Sequence, residues 1–91
     1  MVATIQVETV DSTTFGVTVE AQTSTQHRVT VSPEYRDQLT AGKITAEELV
    51  RRSFEFLLER EPNTSILRSF HLPVIGHYFP GYEKTIRQCL D

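Results

Sequence analysis

The side chains best suited to metal or nucleophilic chemistry are three histidines, His27, His71 and His77, and a single cysteine, Cys89. His71 and His77 stand six apart with no carboxylate between them. That spacing is not the i,i+4 pair that puts two imidazoles on one helical face around zinc. Cys89 has no second thiol for a bridge or a CxxC pair, and on a helical pattern it reads as a packing or surface thiol. Glu59 and Glu61 end a helical run two residues apart and face different ways, so they do not make a general acid/base pair. Gly16, Gly42, Gly76 and Gly81 are isolated, which leaves no glycine-rich phosphate cradle, and no GxSxG elbow is present. These residues predict no catalytic, cofactor-binding or metal-ligating set, and a chain that is not an enzyme.

The chemically densest stretch is RSFHLPVIGHYFPGY, Arg68 to Tyr82. It gathers two Phe, two Tyr, two His, two Pro and an Arg in fifteen residues. Aromatics bury large areas at small entropic cost and Arg donates directionally, so this composition suits a protein-binding hot spot. Arg68, Phe70, His71, His77, Tyr78 and Tyr82 are the candidate contact residues, with His71, His77 and Tyr78 off the apolar phase of Leu72, Ile75 and Phe79. The competing reading is a C-terminal lid whose aromatics complete the core.

Composition frames both readings. With 38% hydrophobic and 23% charged residues, 91 residues make one ordinary domain over 1–91, and no apolar run approaches the ~20 residues of a membrane span. The net charge of −3 disfavours nucleic acid or an anionic membrane as generic partners. MVATIQVETV has no basic segment followed by an apolar block, which predicts a cytoplasmic location.

The elements that position these residues follow from periodicity. ATIQVETV, FGVTVEA and HRVTVS are β-branched runs separated by turn-prone DSTT and QTSTQ, which predicts a three-stranded antiparallel meander within 1–32. Ala3, Ile5, Val7, Phe15, Val17, Val19, Ala21, His27, Val29 and Val31 share the apolar parity. His27, near the start of its run, is expected to be a half-buried edge residue. Within 33–91, Ser32-Pro33-Glu34 opens a helix that Ala41-Gly42 closes. Thr45 and Glu48 then form a capping box for the central helix, with Ile44 and Leu49 as its staple. That helix is apolar over more than half its circumference, so it must be covered on two sides. It carries Glu47/Arg51 and Glu48/Arg52 pairs at i,i+4, and Glu61-Pro62 ends it. Asn63 is expected to cap a helical turn through Ile66, Leu67 and Phe70, and two short helices follow around Pro80. The prediction is an α+β fold, a meander followed by about five mostly short helices on one face.

RVTVSPEYRDQLTAGKITAEELVRRSFEFLLE, residues 28 to 59, resembles a ribbon-helix-helix unit: a strand, a Pro-started helix, a Gly turn and a capped second helix. The resemblance implies a dimeric DNA-binding antitoxin or repressor that inserts Gln26, Arg28 and Thr30 into the major groove. FEFLLEREPNTSIL at 54–67 and VIGHYFPGYE at 74–83 resemble a family of small uncharacterised bacterial proteins, which implies no activity. The function expected from the residues is a non-catalytic bacterial interaction or regulatory module with a protein partner, monomer favoured over homodimer. The DNA-binding unit is the alternative, and a small enzyme comes last.

Overall fold

The computed structural model describes residues 3–90. It is α+β, in the order β1 (Thr4–Thr9), β2 (Thr14–Glu20), β3 (Ser24–Thr30), α1 (Pro33–Thr40), α2 (Ala46–Leu58), a 3-10 turn (Asn63–Ser65), β4 (Ser69–His71), α3 (Val74–Tyr78) and α4 (Tyr82–Cys89). The meander is present, but the sheet has four strands in the order β1-β2-β3-β4, and β4 runs parallel to β3. Two expectations are corrected here. The sheet is mixed rather than purely antiparallel, and the described residues 33–90 supply a strand besides four α-helices and the 3-10 turn. A parallel partner needs a long crossover, and α1 and α2 provide it.

Alternation along the strands decides which face is covered. Phe15, Val17, Val19, His27, Val29 and Val31 are buried on the face that meets the helices, His27 against Phe54 of α2, while Gln6, Glu8, Gln26 and Arg28 stand exposed on the other face. Ala21, at the apolar parity, is exposed, because the β2–β3 turn begins there and β3 starts earlier than its most apolar run, with Ser24 opposite Glu20. The first hairpin is tied by Asp11, whose Oδ1 accepts from the N–H of Thr13 at 2.9 Å and of Thr14 at 2.8 Å. These bonds hold the carboxyl below its ordinary value of 3.8. A depressed folded value gives stability that is complete above the unfolded value and is lost as pH falls through the folded one. Asp11→Asn keeps the acceptor and removes the charge. The fall in Tm between pH 7 and pH 3 is therefore expected to be smaller in that variant than in the parent.

The helix signals act locally as read. Ser32 Oγ accepts from Tyr35 N–H at 3.1 Å, and Thr45 Oγ1 from Glu48 N–H at 3.1 Å. Half of the capping box is missing, since the Glu48 carboxylate turns to Arg52 at 3.1 Å. Glu47 and Arg51 do not pair with each other. Thr9 Oγ1 donates to Glu47 at 3.3 Å, and Arg51 donates to the Ile5 carbonyl at 2.8 Å. α2 stops at Leu58, short of Pro62, and a turn through Glu61 N–H to Leu57 O follows. At the end of α1 the left-handed position falls on Ala41, φ 54°, ahead of Gly42, φ 73°. A Cβ there costs about 1 kcal/mol. Ala41→Gly is expected to stabilise the fold by about 0.5–1 kcal/mol, read as a higher urea midpoint at unchanged slope.

α2 is covered on two sides. Towards the sheet, the Phe54 ring lies 5.3 Å from His27 and 6.1 Å from Phe70. On the other side, Phe56 meets Phe79 at 5.9 Å and Tyr82 at 5.3 Å, both edge-on. Tyr35 Oη donates to Glu83 at 2.8 Å and joins α1 to α4; burial, then this bond, raises its phenol pKa above the ordinary value.

Candidate functional site

The aromatic C-terminal stretch divides between core and surface. Tyr82 is fully buried against Phe56. The one proton of Ser53 Oγ goes to the Leu49 carbonyl at 2.7 Å, which leaves Tyr82 Oη as donor to Ser53 at 2.6 Å. Burial holds this phenol above its ordinary pKa. Tyr82 is thus a core residue, its hydroxyl partnered by Ser53 inside the α2–α4 contact. Phe70 is also buried, 8% exposed, through its contact with Phe54. Leu72, Ile75 and Ile86 complete the lid. His77 and Tyr78 are exposed off the apolar phase of α3, and His71 is exposed because it alternates with buried Phe70 in β4 rather than through a helical phase.

Between the end of α2, the segment entering β4, and α3 lies a groove of about 380 Å³. Phe70, Ile66, Ile75 and Leu57 give it an apolar floor, while Leu67 and Tyr78 stand at its surface, 48% and 67% exposed. Glu61 and Ser65 are its polar lining residues. Of the six sequence candidates the groove gathers two, Phe70 as floor and Tyr78 as rim. Arg68 lies instead in a polar hollow on the open sheet face with Arg28, Gln26, Thr18 and Glu8. His71 and His77 line neither.

Leu67, expected on a helical turn with Ile66 and Phe70, is exposed, and the tertiary fold is the reason. The chain leaves the 3-10 turn at Ile66, φ −78° and ψ 137°, and becomes extended. His27 holds it there. The Leu67 carbonyl can only accept, so His27 Nδ1–H donates to it at 2.7 Å. In the neutral ring Nε2 is then the acceptor, from Thr25 Oγ1–H at 2.9 Å, and Thr25 Oγ1 itself accepts from Asn63 Nδ2 at 2.9 Å. His27 is therefore a buried anchor, 4% exposed, and not an edge residue, because β4 occupies the position that would make β3 an edge. Asn63 likewise does not cap the turn that it begins. Its amide donates to Thr23 O at 2.7 Å and clamps the β2–β3 hairpin. The signal for both roles in the sequence is a polar residue at an apolar parity or beside an apolar run.

The two sheet edges differ. In β1 the Val10 N–H to Thr14 O bond sets the alternation, so Ile5, Val7 and Thr9 turn their backbone groups outward, and Arg51 of α2 covers the Ile5 carbonyl. In β4, Arg68 O accepts from Arg28 N–H, and Leu72 N–H donates to Thr30 O at 2.9 Å. Alternation then points the N–H and C=O of Ser69 and His71 away from β3, where neither meets a partner among the described residues. β3 is paired on both sides, and the backbone groups of Arg28 and Thr30 face β4.

Among the described residues no three His, Cys, Asp or Glu side chains gather where a metal could bind. No helix of the described residues is long and apolar enough to cross a membrane. No family model, no curated protein and no solved structure among those compared matches the chain.

Proposed function

We propose that this protein is a non-catalytic interaction module that binds a protein partner in the groove between α3 and β4. The observation that carries this reading is the pairing of an apolar floor with two exposed apolar side chains, Leu67 and Tyr78, at its surface. Isolated exposed apolar residues are ordinary; two beside one apolar cleft form a patch that loses water when covered. Tyr78 supplies a large rigid contact with a polar tip, and Leu67 fills area beside it.

The same geometry weighs against the DNA-binding alternative. A ribbon-helix-helix unit would pair one strand with its copy from a second chain, and in this fold that strand, β3, has neighbours on both sides. Gln26 and Arg28 project from the open face, where acidic Glu8 shares their hollow. A single chain that closes its own core and both sides of β3 also favours a monomer.

The test is a comparison of tagged parent and Leu67→Ala/Tyr78→Ala proteins in pulldowns from the source cells. Both side chains are exposed, so Tm should change by no more than a few degrees. Partner capture should fall by roughly thirtyfold or more, the loss of one hot-spot residue or its equivalent. His77→Ala, outside the groove, should capture as the parent does. Equal capture by parent and double variant would reject the reading.

A further inference from the structure

The groove and the open edge of β4 adjoin each other, and together they define the conformation and chemistry of an occupant. Building on the proposed protein-binding role, we infer that β4 accepts an extended partner segment as a fifth strand, one that alternates apolar with acidic residues. Three observations carry this.

The first is the backbone. Ser69 and His71 present two outward N–H and two outward C=O groups without partners among the described residues, whereas α2 lays Arg51 against the opposite edge of the sheet. An unpaired strand edge is a template for strand addition, and backbone hydrogen bonds supply its sequence-independent part. The second is the inner face. A strand beside β4 sends every other side chain to the side on which Phe70 lies, where Leu67, Val74 and Tyr78 line the groove. Apolar residues fit there. The third is the outer face, reached by the intervening side chains. Arg28 is the register partner of Ser69, and Arg68 shares its hollow. Neither guanidinium has a carboxylate within ion-pair distance among the described residues. His71 stands on that side as well, two register steps further, opposite Thr30. Glu8, the acidic residue of that hollow, stands two strands away across Gly16 and pairs with neither, so carboxylates on the added strand would meet two guanidinium groups that have no ion-pair partner among the described residues.

The probe is a capped seven-residue peptide alternating Val and Glu, titrated into the full-length isotope-labelled protein while backbone amides are followed by NMR. The expected result is that Ser69 and His71 amides shift and exchange with solvent at least tenfold more slowly, with shifts at Leu67 and Tyr78. Replacing every Glu by Lys should weaken binding at least tenfold. N-methylation of the peptide at alternate residues, tried in both phases, should abolish it in at least one. On the protein, Ser69→Pro removes an N–H that β3 does not use, so it should block the edge while Arg28 and Leu72 keep their protected amides.

If both methylated peptides bind as the parent peptide does and still shift Leu67 and Tyr78, strand addition is overturned and the groove reading stands. If the Lys peptide binds as tightly as the Glu peptide, the acidic preference is overturned. If no peptide shifts either edge or groove while partner capture still depends on Leu67 and Tyr78, the occupant is not such a strand. Loss of that dependence would instead reject the groove itself.

Discussion

Phe54→Ala is expected to destabilise the protein by about 3–5 kcal/mol, the usual cost of emptying an aromatic site in a packed core. A domain has roughly 5–15 kcal/mol in total, so this one change removes a large part of it. Phe54 is fully buried and is the contact through which α2 holds both the His27 ring of β3 and the Phe70 ring of β4. Urea denaturation followed by circular dichroism would measure the loss. A change below about 1 kcal/mol would mean that the three rings do not form a single packed unit.

The second large effect is expected from His27→Leu, which keeps apolar volume but withdraws both ring nitrogens. The Leu67 carbonyl then has no protein donor, and a partly buried acceptor left unpaired costs up to about 1–3 kcal/mol. Thr25 can turn its hydroxyl and retains the bond from Asn63, so the cost falls mainly on the segment leading into β4. The expected readout is therefore local before it is global. Amide exchange at Arg28 and Leu72, whose N–H groups bridge β3 and β4, should accelerate more than exchange between β1 and β2. Partner capture should fall with it, although His27 touches no partner, because Leu67 is placed by that bond. Uniform acceleration across the whole sheet would show that His27 stabilises the fold without anchoring β4.

These two predictions turn on residues whose local pattern was plain and whose partners were not. The parity of His27 in HRVTVS put it on the covered face, which is correct, yet its place near the start of the run suggested an edge. What made it an anchor is Leu67, forty residues further on. Phe70 fitted a helical phase with Ile66, but it lies in a strand because backbone groups of Arg28 and Thr30 were available to pair with that segment. The aromatic stretch supports two readings, a contact surface and a C-terminal lid that completes the core, and the fold divides it between them. It became a core residue in Tyr82, a groove floor in Phe70 and a groove rim in Tyr78.

The sequence by itself determined whatever depends on neighbours within a few residues: the period-two alternation of the meander, the caps at Ser32 and Thr45, the end of α1 at Ala41-Gly42, and an apolar α2 in need of two covers. Those features rest on dihedral preferences, short-range hydrogen bonds and the area of a single face. Only the tertiary structure decided that a fourth strand forms, that β3 is central, that Asn63 and His27 serve as buried clamps, and that Leu67 and Tyr78 meet at one groove. Each of these depends on a backbone or side-chain partner about forty residues away or on another element, and three residues such as Ser69–His71 have too little intrinsic preference to be a strand until such a partner is in place.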